Sequence, residues 1–342
     1  MRTHEEKNTM RNLARTRPLA LVLGMMLRAW MATGDAVAGE LTPVTMQLDW
    51  KPNVQFAGLI VALEKGYYRE AGLDVRLRPV DAQMKVVEAV EAGTNWIGCS
   101  ESGVLLGARA KGARVKAFGT MLQGSPFCLM SLKGKGIRTP RDLRGRTVGV
   151  HPDADLALDV VLASGGVPRS SMRTIDVAHS TEPLTGGQVD TLMGYLIDEV
   201  VSLETAGHGL DVIRGHEHGY VAYSQVYCAS ERTLGMRPEL VRAFLGASNR
   251  GWAEAARDPE AAVRWVVGKY QPGADAEYQR RSLREILALA QLEGGPGSFG
   301  RMRLETWRRM VSVFEGAKVL ARPVTVEEMV DTRFHEGGTG RP

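Results

Sequence analysis

The chain has 342 residues, 44% of them hydrophobic and 24% charged, and Pro and Gly are scattered rather than clustered. This excludes a disordered polymer and leaves one large or two medium globular domains. The formal net charge is +4, but residues 1–38 hold six Lys/Arg against three Asp/Glu, so the remainder carries only +1. The basicity therefore sits at the N-terminus, and no charge pattern points to nucleic acid or an anionic membrane surface.

In the first forty residues Arg11, Arg15 and Arg17 precede an apolar run at 18–27, and Ala36-Val37-Ala38 follows it. A basic start, a short apolar run and a small-x-small site describe a secretory signal peptide over 1–38, cleaved near Ala38, and predict export to the periplasm. The run is too short to span a bilayer, and Arg28 interrupts it. No cysteine follows the cleavage site, so lipid anchoring by this segment is not indicated.

Beyond it, a strand is expected at 44–48, then a turn-rich stretch Asp49-Trp50-Lys51-Pro52-Asn53 and a helix at 58–64 ended by Gly66. Residues 75–79 alternate apolar and charged, as in a half-buried strand, and 84–92 repeats at helical spacing up to Gly93. A short strand at 96–99, a helix at 103–110 and strands at 115–121 and 127–132 follow. A second unit opens with a helical turn at 139–143, a buried strand at 147–150 and a helix at 155–164. Strands at 174–177 and 191–195, a helix at 199–206, a strand at 210–213 and a β-rich stretch at 221–229 complete it. The remainder reads as amphipathic helix at 239–257, 259–270, 276–292 and 304–317. Strands alternating with helices of this length predict an α/β protein with parallel sheets. The expected division is lobe 1 over 39–132 plus 224–342, and lobe 2 over 133–223. Ligands in open α/β sheets sit beyond the carboxyl ends of the strands, so two such lobes frame a cleft that hinge motion closes.

Three cysteines, Cys99, Cys128 and Cys228, cannot form a fully paired framework, and their spacings do not match a zinc site. They read as small buried hydrophobes. A Cys128–Cys228 disulfide is the one pairing open, because both fall on strands expected to be neighbours in lobe 1.

The segment Leu48-Asp49-Trp50-Lys51-Pro52-Asn53-Val54-Gln55-Phe56-Ala57-Gly58 is specific enough to carry a resemblance, as is Glu64-Lys65-Gly66-Tyr67-Tyr68-Arg69-Glu70-Ala71-Gly72-Leu73. Together with Leu143-Arg144-Gly145-Arg146-Thr147-Val148-Gly149-Val150 and Gly194-Tyr195-Leu196-Ile197-Asp198-Glu199, they resemble the solute-binding proteins of nitrate/sulfonate/taurine-type ABC importers. The likeness is strongest to the thiamine-precursor (aminopyrimidine) branch, which also contains thiamine pyrimidine synthases. It runs over essentially the whole chain after the N-terminal segment. It implies the type II periplasmic binding protein fold: two α/β lobes, a cleft between them, and C-terminal helices. It also implies an ABC permease and ATPase as partners, a small-molecule ligand and a monomer. In the synthases a histidine stands at the Phe56 position and is consumed as a source of ring atoms, and a cysteine-rich motif binds iron. Phe56 has no imidazole and no such cysteine run exists here, so an enzyme is not expected. The Gln-Phe-Ala-Gly variant occurs among binding proteins of this group whose candidate ligands include flavins and other pyrimidine-like compounds.

Within this frame Trp50, just past the first strand, offers an indole face for stacking a heteroaromatic ring, against the simpler reading of core packing. Asn53 and Gln55 carry amides suited to a polar ring edge, although Asn53 serves equally to stabilise the turn. Phe56 shares their loop. Ser100 and Glu101 follow a strand, where Ser100 or Ser102 is otherwise a helix N-cap. Asp153 and Asp155, after His151, place two carboxylates at a helix start and disfavour an anionic ligand. Tyr195 and Glu199 match the family pair, Glu199 as an acceptor for an amino group or protonated ring nitrogen. Asp198 and Glu199 also suit the first turn of a helix. Tyr220 and Tyr223 are candidates for a second stacking face. His208, His216 and His218 read as a solvated loop rather than a metal site, and no cofactor is indicated. The alternatives kept are a pyrimidine-synthase-like enzyme, a binding protein for a sulfonate- or nitrate-type anion, and a sensor without transport.

Overall fold

The computed structural model describes residues 40–80, 85–93, 96–151, 155–177, 180–295 and 297–335. The expected signal peptide lies outside the described residues. In the first sheet, the alternating or apolar stretches become β1 (Thr42–Gln47), β2 (Leu73–Arg78), β3 (Trp96–Ser100), β4 (Val115–Leu122) and β10 (Ser224–Ser230), numbered along the chain. Their order is β2-β1-β3-β10-β4. Helices α1 (Ala57–Glu64), α2 (Val86–Ala92) and α3 (Ser102–Ala110) follow β1, β2 and β3. These three strands run parallel, and β10 enters antiparallel between β3 and β4. The carboxyl ends of β1 and β3 and the start of β10 therefore meet at one rim.

The second sheet holds β5 (Phe127–Leu132), β6 (Thr147–Val150), β7 (Arg173–Asp176), β8 (Thr191–Tyr195) and β9 (Leu210–Arg214), in order β7-β6-β8-β5-β9. Helix α4 (Asp155–Ser164) follows β6 and α5 (Glu199–Thr205) follows β8. This corrects the expected lobe boundary. β5 pairs antiparallel with β8 and β9 and so belongs to the second lobe. Residues 127–131 are buried one after another, a run that suits a strand covered on both faces. The crossings lie at 123–126 and 215–223. Cys128 and Cys228 consequently sit in different sheets, and all three thiols are free and buried.

The C-terminal helices are α6 (Pro238–Arg257), α7 (Pro259–Trp265, continued by a π-helical turn Val266–Tyr270), α8 (Ala276–Ala290) and α9 (Leu304–Gly316). α6 lies against α1 at a contact that admits no side chain. A Cβ on Gly251 would stand 2.0 Å from the Gly58 carbonyl oxygen, and one on Gly58 would stand 2.3 Å from the Trp252 ring. Trp252 and Phe56 are both fully buried in the same core cluster. The edge of the first sheet is covered as well, because β4 makes backbone bridges to Gly300 and Val330.

One C-terminal segment, running from Gln291 to Arg303, fastens both crossings. The Gln123 amide accepts from the Glu293 N–H (2.8 Å) and donates to the Ser298 carbonyl (2.8 Å). The Tyr223 hydroxyl donates to the Glu293 carboxylate (2.5 Å) and accepts from the Arg303 N–H (2.6 Å).

Candidate functional site

At the rim of the first sheet the chain leaves β1 through Leu48 and Asp49 and leaves β3 through Ser100 and Glu101. β1 and β3 are adjacent and parallel, so the two acidic residues emerge side by side. Asp49 Oδ1 accepts from the Cys99 thiol (3.1 Å) and from the Gln225 amide (3.4 Å). Glu101 accepts from the Ser224 hydroxyl (2.5 Å), and the Gln225 backbone N–H also faces it. All of these donors are neutral. Among the described residues neither carboxylate has a Lys, Arg or His partner. Burial pushes the Asp49 carboxyl up to about 6, the hydrogen bonds from Cys99 and Gln225 opposing it. Burial and then the charge of Asp49 push Glu101 up to about 7. Tyr220, from the second crossing, stands edge-on to Phe127 with ring centroids 5.6 Å apart. Burial and the Glu101 charge raise its phenol above the ordinary range.

Trp50 follows directly and is 48% exposed, so its indole is not core packing. Asn53 serves the turn, because its side chain accepts from the Gln55 N–H (2.9 Å) at the start of a short 3-10 helix. Gln55 has a buried Oε1 without a partner. Ser100 is buried and donates to the Glu101 carbonyl (3.3 Å). Glu101, not a serine, occupies the N-cap of α3, and the Ser102 hydroxyl reaches the Tyr223 carbonyl (2.6 Å) instead.

Two expected ligand contacts fall elsewhere. Phe56 is fully buried in the first-lobe core, where it packs as part of the large apolar cluster beneath α1. Tyr223 is also fully buried, its ring 5.7 Å from that of Trp307 and its hydroxyl engaged by Glu293 and Arg303. Neither offers a face to a solute.

At the second sheet, Tyr195 ends β8 half-buried, and Glu199 opens α5. The Glu199 carboxylate turns back to accept the Tyr195 N–H (2.8 Å). Gly194 makes room for it, since a Cβ there would lie 3.0 Å from Glu199 Oε2. Asp198 is exposed and receives the Tyr278 hydroxyl. Asp155 is the first residue of α4 with its side chain outside the described residues, as is all of Asp153. His151 is buried with Nδ1 3.2 Å from the Val177 carbonyl oxygen.

Helix α8 connects the two sets. Gln279 Oε1 accepts from the Val54 N–H (3.3 Å) in the first-lobe loop. Tyr278 and Ser282 reach Asp198 and the Ile197 carbonyl (2.7 Å) in the second-lobe loop. The structure thus groups Trp50, Ser100 and Glu101 at one rim and Tyr195 with Glu199 at the other. Asp49, Ser224 and Gln225 were not anticipated. Asp49 carried a signal, because it directly follows a buried parallel strand as Glu101 does. Of the three histidines, His216 and His218 lie in a short 3-10 turn. Among the described residues no group of three or more His, Cys, Asp or Glu is placed to hold a metal ion.

Residues 53–262 match the family model described as NMT1/THI5 like. The chain is 28% identical over 310 residues to the riboflavin-binding protein RibY of Chloroflexus aurantiacus, covering 87% of this chain and 88% of that protein. It is 25% identical over 318 residues to the formylaminopyrimidine-binding protein of Halalkalibacterium halodurans (91% and 96%). A 4-amino-5-hydroxymethyl-2-methylpyrimidine phosphate synthase of Legionella pneumophila is 30% identical over 236 residues (66% and 73%). Among solved structures, the periplasmic aliphatic sulphonate binding protein SsuA of Escherichia coli superposes with a TM-score of 0.67 at 15% identity, over 86% of this chain and 92% of that one. That likeness speaks for the fold alone, which is the two-lobed periplasmic binding protein fold expected above.

Proposed function

The chain belongs to the NMT1/THI5-like family, and from that premise we propose that it is the exported solute-binding component of an ABC importer. Its ligand in this reading is a small nitrogen heterocycle of the flavin or aminopyrimidine kind, held between the lobes and delivered to a membrane permease. The observation that carries the reading is Trp50. A large aromatic side chain, 48% exposed, follows Asp49 directly in the chain, at the rim where Asp49 and Glu101 have no cationic partner among the described residues. A flat face for stacking next to acceptors for ring N–H groups is the equipment that a donor-bearing heterocycle requires. Two relatives named for binding riboflavin and formylaminopyrimidine, each aligned over most of both chains, support the same ligand class. The predicted carboxylates at 153 and 155 weigh against an anion. Isothermal titration with riboflavin, formylaminopyrimidine and a sulfonate such as MOPS tests it. Binding of either heterocycle and not of the sulfonate supports the proposal; preferential binding of the sulfonate overturns it.

A second reading, a pyrimidine synthase, draws on the Legionella relative. Phe56 counts against it, since a phenyl ring supplies no nitrogen and here lies sealed in the core. Incubation with ferrous iron and oxygen followed by intact-mass measurement separates the two. Unchanged mass and no pyrimidine product retain the binding role.

A further inference from the structure

The rim of the first sheet contains more acceptor capacity than the protein itself uses. Gln225 is only 4% exposed, yet its Oε1 has no partner among the described residues, while its amide nitrogen donates to Asp49. Its backbone is left-handed, φ 52°, a conformation that a non-glycine residue holds only when its surroundings dictate it. Here the flanking residues are pinned by strand pairing, Ser224 to Leu122 and Val226 to Thr120 and Ser100. Gln225 thereby reaches both acidic residues, Asp49 with its side-chain amide and Glu101 with its backbone N–H. The rim thus holds two carboxylates and, on the side chain whose amide nitrogen bonds Asp49, an amide oxygen without a partner among the described residues. Among the described residues every donor reaching the carboxylates is neutral.

We propose that Asp49, Glu101 and Gln225 form a subsite for the cationic, multiply N–H-bearing edge of the ligand, of amidinium or protonated amino-heterocycle type. The inference rests on the reading of the first-sheet rim as a ligand site. It adds the charge of the ligand and the protonation state of its receptor. A planar cation with two or more N–H donors satisfies both carboxylates and the orphaned oxygen at once, through charge-assisted hydrogen bonds.

The other titratable groups facing the pair are the Cys99 and Cys228 thiols and the Tyr220 phenol. Burial pushes all three upward, Cys228 to about 12, so they stay neutral near pH 7. Only the carboxyls change charge there, around about 6 and about 7. A cation binds their ionised form, so affinity rises with pH and each binding event releases protons into solution.

The test uses benzamidine, which stays cationic throughout, and its neutral isostere benzamide. Titration calorimetry of the intact protein at about pH 5.5 and about pH 7.5 should show benzamidine affinity rising roughly tenfold or more, with benzamide weaker and flat. Heats in phosphate and Tris buffers should differ by the ionisation heat of the released protons. Asp49→Asn and Glu101→Gln should each weaken benzamidine binding and reduce the pH slope. The wild-type pH series decides the matter even if a variant fails to fold. Equal binding of the two probes, a flat benzamidine profile, or displacement of benzamidine by calcium chloride at millimolar level would each overturn the subsite. Formylaminopyrimidine or riboflavin binding that is lost in Trp50→Ala but indifferent to pH and to Asp49→Asn removes the subsite and keeps the proposed function. Failure of both heterocycles at every pH removes the proposed function, while the benzamidine series still reads the subsite.

Discussion

At the first-lobe rim Asp49 and Glu101 are held by a thiol, a hydroxyl and amide groups, and burial drives both carboxyls toward their protonated forms. At the second-lobe rim Glu199 accepts the Tyr195 backbone N–H, and Asp198 lies exposed against Tyr278. The same side-chain chemistry is thus under tension in one lobe and built into the backbone in the other. Buried charge without a counter-charge is costly, whereas a carboxylate on a backbone donor secures a loop. In the proposed reading the first rim receives the ligand, while at the second the Glu199 carboxylate braces the backbone of its own loop.

The sharpest challenge to this contrast is Trp50→Ala. Loss of a stacking face costs about 1–3 kcal/mol, so affinity for the bound heterocycle should fall roughly tenfold to a hundredfold. The melting temperature should barely move, because the side chain is largely exposed; intact affinity would dismiss the receptor role of this rim. Glu199→Ala should do the reverse. It removes the carboxylate that accepts the Tyr195 N–H and lowers stability by about 1–3 kcal/mol, measured by urea denaturation.

Glu101→Gln and Asp49→Asn should stabilise the ligand-free protein by about 1–2 kcal/mol at pH 8 and have little effect at pH 5. The sign follows from the raised carboxyls. Their folded values lie above those of the unfolded chain, so their stabilising contribution is complete below about pH 4. It is then lost as pH rises through about 6 and about 7. Melting curves at the two pH values read this difference, and variants destabilised at both would mark the pair as structural. The smallest effect is expected from Asn53→Ala, a loss of about 0.5–1 kcal/mol of stability from the missing turn bond, with ligand affinity unchanged.

Most elements were legible from the sequence because periodicity and flanking glycines report local structure directly. The strands at 147–150 and 191–195 emerge with the bounds that the pattern predicts. Lobe membership was less legible. β5 follows β4 after a four-residue connection and was expected in lobe 1, but it pairs between β8 and β9 in the second sheet. The candidate site was legible in part. Trp50 and Glu101 stand at strand ends, where the two-lobe pattern directs attention. Phe56 and Tyr223 share that sequence neighbourhood, yet the packing of α1 and the Glu293 network turn them inward. Gln225 was invisible, since its left-handed backbone arises from strand pairing distant in sequence.

Gln123 and Tyr223 are both tied to the segment that ends at Arg303. In mechanical terms each crossing is clamped at its first-lobe end, while further along Pro126 accepts from the Leu196 N–H (2.8 Å) and Tyr220 packs on Phe127, which fastens the other end to the second lobe. α8 spans the same junction, bonded to Val54 on one side and to Ile197 on the other, so a hinge rotation has to break or carry those bonds.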